Sequence, residues 1–123
     1  MCIRDRDGTC RNPTGTGTVS TYTDVQRGSA SQLRAALSKT VVSVAIEADR
    51  SVFQFYKSGV LTSSECGTHL DHGVAAVGYG NESGEDYFLV RNSWGPSWGD
   101  QGYIKIGANN TCGILSQPSY PTA

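Results

Sequence analysis

The sequence of 123 residues has no long apolar run, no excess of basic residues and no CxxC pair of cysteines. Its longest apolar stretch, residues 41–48, is far shorter than the roughly 20 residues of a membrane-spanning helix, so no membrane partner is expected. Ten basic residues stand against eleven acidic ones, and no basic stripe is present, which argues against nucleic acid as a partner. Without a CxxC pair, a structural zinc site is not expected either.

The composition is that of a globular domain. Hydrophobic residues make up 37% and charged residues 17% of the chain, a balance unlike that of disordered proteins. Fifteen glycines indicate many turns and close backbone approaches, which favours a β-rich fold. Residues 1–6 match nothing in the rest of the chain and show no signal-peptide pattern. We therefore set them apart as a head foreign to the domain and assign residues 7–123 to one domain.

Hydrophobic periodicity predicts a short helix followed by antiparallel strands. Apolar residues fall at helical spacing within residues 32–39, after a serine that can act as N-cap, and residues 41–47 alternate as a buried strand does. Residues 72–80 and 87–92 form a predicted hairpin around the turn 81–85. Further predicted elements are an extended stretch at 19–22, one or two helical turns at 52–56 and a strand at 102–106. This pattern predicts an α+β or barrel-like domain.

The predicted hairpin brings together two residues with chemical potential. His72 opens the first strand and Asn92 ends the second, so antiparallel pairing makes them neighbours. A single histidine at a strand end is usually structural or solvated, and His69 fits that interpretation. Cys66, His69 and His72 share a three-residue spacing that also allows a metal site, although no fourth ligand is evident.

At these residues the chain resembles the papain family of cysteine proteases, and its cathepsin L-like branch in particular. Five separated blocks match in the family's order. The blocks are LDHGVAAVGYG (70–80), RNSWGPSWGDQGYIKI (91–106), VVSVAIEA (41–48), FQFYKSGVL (53–61) and CGILSQPSYP (112–121). The resemblance implies the right-hand domain of the papain-like fold, an α+β, antiparallel β-barrel-like domain with one or two short helices.

The resemblance also implies catalytic roles. His72 is expected to be the general base and acid, because an adjacent imidazolium stabilises a cysteine thiolate and can later protonate the departing amine. Asn92 is expected to orient the imidazole without adding charge. Trp94 would cover this hydrogen bond, and Asp71 would modulate the pair. No cofactor is expected.

Four further positions match the family's pocket for the second residue before the cut: Ala45, Leu70, Gly73 and Gln117. Small residues at 45 and 73 leave room for a bulky apolar side chain, so we expect an apolar preference there. By the same resemblance, Cys66 is expected to pair with Cys112, whereas the partner of Cys10 lies further upstream in the family.

The family's nucleophile stands in a Cys-Gly-Ser/Ala-Cys-Trp/Tyr run, which is absent from these residues. We therefore expect a fragment of a cysteine endopeptidase whose N-terminal helical domain is missing, and no peptide cleavage by this chain alone. Expected partners are peptide or protein substrates, the missing domain, and in the full-length enzyme a propeptide or cystatin-like inhibitors. A non-catalytic peptide-binding homologue is the alternative.

Two sequons, at Asn81 and Asn109, are candidate glycosylation sites and hint at a secretory route. The family resemblance points in the same direction, to a lysosomal, vacuolar or extracellular location.

Overall fold

The computed structural model describes Thr9 and residues 14–123. The predicted foreign head, residues 1–6, and the prediction about Cys10 lie outside the described residues. The elements are β1 (Thr21–Asp24), α1 (Ala30–Leu37), β2 (Val42–Ile46), α2 (Ser51–Gln54), β3 (Val60–Leu61), β4 (His72–Glu82), β5 (Glu85–Arg91), β6 (Tyr103–Gly107), a 3₁₀ turn (Thr111–Gly113) and β7 (Ser119–Thr122).

The strands form one sheet in the order β1-β7-β2-β4-β5-β6-β3. Every pairing is antiparallel except the short one between β3 and β6. Helix α1 contacts β2 and β4, and its buried Leu33 and Ala36 join the core. With one main sheet and two short helices, the α+β class predicted from the sequence is confirmed.

The core explains why these segments adopt their structures. Alternate residues of β2, namely Val42, Val44 and Ile46, are buried, and Ile104 and Ile106 do the same on β6. Helix α1 begins at a serine N-cap, because the Ser29 side chain accepts from the Gln32 backbone N–H at 3.2 Å.

Two strands escaped prediction. β3 has only two residues, too few for a periodic signal, and β7 contains Pro121, which is unusual inside a sheet. β7 nevertheless pairs with β1 over four residues and touches β2 at one position, Ser119 opposite Ser43. These contacts join residues far apart in sequence, so no local sequence pattern predicts them.

The predicted bond between Cys66 and Cys112 is present. Both cysteines are buried, and the bridge joins the segment before β4 to the 3₁₀ turn. The backbone N–H of Glu47 donates to the carbonyl of Cys112 at 2.8 Å, which ties the end of β2 to the same turn.

Candidate active site

The sheet places His72 and Asn92 in direct contact. His72 is the first residue of β4, where it pairs with Ile46 of β2. Asn92 follows β5 directly, and its backbone N–H donates to the carbonyl of Gly102 at 3.0 Å. Their side chains meet with His72 Nε2 2.8 Å from Asn92 Oδ1. The hairpin register therefore produces the neighbourhood that the sequence predicted.

Backbone geometry fixes which nitrogen of His72 carries a proton. The Ser93 backbone N–H, which can only donate, lies 2.7 Å from Asn92 Oδ1. The amide oxygen of Asn92 must therefore face this corner, and it can only accept. His72 Nε2 is then the donor in its bond to Asn92, which leaves Nδ1 as the atom that can take up a proton.

Asn92 is only 7% exposed, and its Nδ2 has no hydrogen-bond partner among the described residues. A buried amide nitrogen without a partner carries a desolvation cost.

Aromatic rings cover the histidine–asparagine contact. Trp94 stacks on the imidazole of His72 with centroids 5.1 Å apart and planes at 29°. Phe53 and Trp98 meet Trp94 edge-on, each at 5.5 Å. Trp98 is itself tied to α2, because its Nε1 donates to the carbonyl of Gln54 at 3.0 Å. The rings keep water from one side of the His72–Asn92 bond, which strengthens it.

Asp71, the residue before His72, bonds to the backbone at the end of β2. Its Oδ1 accepts from the backbone N–H of Ala48 at 2.8 Å, and its own N–H donates to the carbonyl of Ile46 at 3.0 Å. These bonds fasten the residue before His72 to the end of β2. Among the described contacts, its carboxylate bonds to the backbone of Ala48 and not to the imidazole of His72.

The four predicted pocket residues are brought together only in part. Ala45 and Gly73 are opposite each other on β2 and β4, and a side chain at Gly73 would meet nothing within 4 Å. Leu70 packs against Gly113, where an added Cβ would lie 2.8 Å from Leu70 Cδ2. Gln117 is exposed and lines a concavity with residues 24–27.

Sequence reasoning missed a buried acid. Glu47 is 1% exposed, and its Oε1 lies 3.4 Å from Nε of the half-exposed Arg50. Its Oε2 has no hydrogen-bond partner in the part of the chain that the structure describes, and it faces Gly67, where an added Cβ would lie 2.5 Å away. A glutamate at the end of an apolar β-branched run was the available signal.

The described part of the chain contains no group of three or more His, Cys, Asp or Glu residues suited to a metal ion. Cys66 is bonded to Cys112, so its sulfur is not free to act as a thiolate ligand with His69 and His72. Within the same residues, no helix is long and apolar enough to cross a membrane.

Comparison with known proteins gives the family. Residues 3–122 match the sequence profile described as papain family cysteine protease. The chain belongs to the papain family of cysteine proteases. Among its curated relatives, the probable cysteine protease RDL2 of Arabidopsis thaliana is 49% identical over 127 residues, covering 99% of this chain and 34% of that protein. Digestive cysteine proteinase 3 of Homarus americanus is 63% identical over 84 residues, covering 66% of this chain and 26% of that protein.

Solved structures of the papain family agree. Bromelain from Ananas comosus, in complex with the E64 inhibitor, is 40% identical with a TM-score of 0.81, over 94% of this chain and 56% of that chain. The ragweed allergen Amb a 11 cysteine protease, in its proform, is 37% identical with a TM-score of 0.79, over 85% of this chain and 30% of that chain. The papain-like fold is thus confirmed. This papain-family chain spans about a third of the length of RDL2 and a quarter of RD21A, both from Arabidopsis thaliana.

Proposed function

We propose that this chain is the histidine- and asparagine-bearing domain of a cysteine endopeptidase. The observation that carries the proposal is the 2.8 Å contact between His72 Nε2 and Asn92 Oδ1 beneath the ring of Trp94. Asn92 holds Nε2 as a donor, so Nδ1 is free to exchange a proton with a nucleophile on the other side of a cleft. The proton exchange proposed for His72 needs neither a metal nor a cofactor.

The proposed reaction uses His72 twice. Nδ1 takes the proton of a cysteine thiol, and the resulting thiolate attacks the carbonyl carbon of the peptide bond. The imidazolium then gives that proton to the departing amine as the carbon–nitrogen bond breaks. Water hydrolyses the remaining thioester and restores the thiol. Asn92 keeps the ring at one angle throughout and stabilises its charged form without a competing negative charge.

We propose that the nucleophile belongs to a helical N-terminal domain and that residues 7–123 form the C-terminal one. None of the four cysteines stands in the expected Cys-Gly-Ser/Ala-Cys-Trp/Tyr run, and the chain covers only 34% of RDL2. On this basis the 123 residues alone do not cleave peptides, because the remaining catalytic groups cannot replace a nucleophile.

The proposed substrates are peptides or proteins with an apolar residue second before the cut. The open space beside Gly73 and the small Ala45 opposite it support this preference. Leu70 would form an apolar wall, and Gln117 a polar floor. A peptide library that shows strong preference for acidic residues at this position would contradict the assignment.

Regulation and location follow the relatives. The Amb a 11 structure contains a proform, so we propose that a propeptide occupies the cleft before activation and that cystatin-like inhibitors compete for it afterwards. The proposed location is lysosomal, vacuolar or extracellular, as is typical of papain-like proteases.

The decisive experiment compares two histidines in the full-length protein that contains this chain. His72→Ala should abolish thiol-dependent hydrolysis of an apolar-P2 peptide substrate, since it removes the proton carrier. His69→Ala is the matched control, because His69 is exposed, lies three residues away and has no described contact with Asn92. Equal activity in both variants would overturn the proposal.

A second outcome separates the alternative reading. If the full-length protein shows no turnover but binds the same peptides, with binding weakened by bulky substitutions at Gly73, the chain is a non-catalytic peptide-binding homologue. Turnover that is abolished by a thiol-alkylating reagent supports the endopeptidase instead.

A further inference from the structure

We propose that Asn109, and not Asn81, carries an N-linked glycan when the chain passes through a secretory pathway, and that the first sugars lie in a polar groove beside α1. Both residues stand in sequons and both are exposed, so exposure alone does not separate them. The separation comes from what each amide nitrogen already binds. The proposal does not depend on catalysis.

The amide of Asn81 is fully engaged within the β4–β5 hairpin. Its Nδ2 donates to Asp86 Oδ1 at 2.8 Å, and its Oδ1 accepts from the Gly84 backbone N–H at 3.2 Å. Asn81 and Asp86 are also opposite each other in the strand register. Nδ2 is the atom to which a sugar must be joined, so modification requires this contact to open.

The hairpin around Asn81 is local and forms early. Ser83 and Gly84 have φ values of 52° and 88°, which gives the two-residue turn with left-handed residues that matches the twist of the strands. Hairpins close in roughly 1–10 μs, whereas a ribosome adds about 5–20 residues per second. Residues 85–91 follow Asn81 directly, so the turn can close before a transferase acts.

Asn109 differs from Asn81 in its side-chain contacts and in how the surrounding segment becomes fixed. Its side chain makes no hydrogen bond among the described residues, and the turn that follows is built by Asn110, whose Oδ1 accepts from the Leu115 N–H at 2.9 Å. Local bonds from the Gly113 N–H to Asn110 and from the Ile114 N–H to Thr111 form this turn, and the Cys112–Cys66 bridge and the bond from the Glu47 N–H to Cys112 join it to distant parts of the chain. Contacts over such sequence separations form late, so the segment stays accessible.

Asn109 also borders a place for a sugar. It lines a concavity of about 750 Å³ between α1, the β4–β5 turn and the segment before β4. Polar side chains dominate its walls, among them Arg34, Thr62, Ser63, Asp86 and Thr111. Such a wall of donors and acceptors suits the hydroxyl groups of N-acetylglucosamine better than an apolar ligand.

The transfer reaction itself is simple. The bond between C1 of the sugar and a polyprenyl diphosphate oxygen breaks, and the diphosphate leaves with the electron pair. A bond from C1 to Asn109 Nδ2 forms, and the amide nitrogen loses one proton. The lipid-linked oligosaccharide of the secretory pathway is the only co-reactant.

The test is expression of the full-length protein that contains this chain, behind a secretion signal in a eukaryotic host, with occupancy of Asn81 and Asn109 measured by peptide mapping after enzymatic deglycosylation of denatured material. Within these residues we expect one glycan, which persists in Asn81→Gln and disappears in Asn109→Gln. Thr111→Ala, which keeps Asn109 but destroys its sequon, should lose the glycan as well. Because denatured material from cells and medium is measured, misfolding of a variant does not hide the result.

Asp86→Ala provides the sharper control. It removes the acceptor that holds Asn81 Nδ2, so a second glycan should appear at Asn81 in a measurable fraction of molecules. A glycan on Asn81 in the unaltered chain, or none on Asn109, would overturn the assignment.

The groove is tested by the rate of glycan release from native protein. A glycosidase that cleaves next to the asparagine should act at least tenfold more slowly on the native Asn109 glycan than on denatured protein. The comparison is Arg34→Ala, which removes a wall residue of the groove and should bring the native rate closer to the denatured one. Equal native and denatured rates in the unaltered protein would contradict the groove contact.

Discussion

At the scale of single residues, the candidate site depends on the hydrogen bond from the Ser93 N–H to Asn92 Oδ1, which no sequence pattern predicts. The Ser93 backbone N–H decides which atom of Asn92 faces His72, and this decides which imidazole nitrogen is free. The His72–Asn92 proximity followed from the predicted hairpin. The orientation of the amide did not, because it depends on the backbone position of the next residue.

Asn92→Ala in the full-length enzyme should lower kcat roughly 10- to 100-fold while changing KM little, by analogy with residues that orient a catalytic group. The free ring would sample several angles and either tautomer. Steady-state kinetics with a peptide substrate should show this selective loss of kcat. Ser97→Ala, in the same loop but exposed, is the matched control. A change confined to KM would contradict the orienting role.

Glu47 and Gly67 form a second residue-scale pair. An added Cβ at Gly67 would lie 2.5 Å from Glu47 Oε2. Gly67→Ala should therefore lower the free energy of unfolding by about 1–3 kcal/mol, the usual cost of overpacking. Most of that loss should disappear when Glu47 is replaced by serine, because the shorter side chain no longer places an oxygen next to residue 67.

A double-mutant cycle followed by chemical denaturation measures this coupling. Gly73→Ala is the comparison, since its added Cβ meets nothing within 4 Å. Additive effects of Gly67→Ala and Glu47→Ser would show that the two residues do not interact as the structure places them.

At the scale of elements, the sequence predicted what is local and periodic. Helix α1, strand β2, the β4–β5 hairpin and strand β6 all appear within two residues or so of the predicted bounds. No local sequence pattern predicts β3 and β7, because their formation depends on pairing with β6 and β1, which are distant in sequence. Gln117 illustrates the consequence, because its position beside residues 24–27 depends on the pairing of the unpredicted β7 with β1.

Tyr56 links two elements, and this link is sensitive to pH. Its hydroxyl donates to the carbonyl of Gly59 at 2.5 Å and lies 3.4 Å from the Lys105 backbone N–H, so it joins the end of α2 to β6. Burial raises the pKa of Tyr56 above its ordinary value of 10.0, an effect partly offset by the bond from Lys105. The folded state thus holds the phenolic proton more tightly than the unfolded state does.

The sign of the pH dependence follows from this shift. The contribution of Tyr56 to stability is complete below pH 10 and is lost as pH rises through the higher folded pKa. Thermal unfolding between pH 8 and roughly 11 should show a steeper loss of stability in the unaltered protein than in Tyr56→Phe. Parallel curves would contradict a raised pKa, whatever the lower overall stability of the variant.

At the scale of the whole molecule, the resemblance in the sequence supplied what local patterns could not. The bond between Cys66 and Cys112 was expected from matching blocks and is present, although four cysteines leave several pairings open. The contacts of Asp71 were not foreseen, because they depend on where the end of β2 meets the segment before β4. The matching sequence blocks thus located the site, whereas the contacts of each site residue depend on the pairing of the strands.

The disulfide connects this architecture to substrate binding. It joins residues 46 apart in sequence, and the chain-entropy model assigns roughly 4 kcal/mol to closing such a loop, as an upper value. The double variant Cys66→Ala and Cys112→Ala should therefore lose about 2–4 kcal/mol in denaturant unfolding. Reduction of the unaltered protein should reproduce that loss, whereas a change below about 1 kcal/mol would show that folded contacts alone hold the loop.

The same variant should separate binding from chemistry in the full-length enzyme. The bridge holds the 3₁₀ turn, whose Gly113 packs against Leu70, the proposed wall of the substrate pocket. His72 is instead held by its pairing with Ile46 and Asn92 by its bond to Gly102, contacts in which the bridge takes no part. We therefore expect KM for apolar-P2 peptides to rise while kcat stays near its original value. A selective loss of kcat would mean that the loop before β4 positions His72, and that the hairpin alone does not.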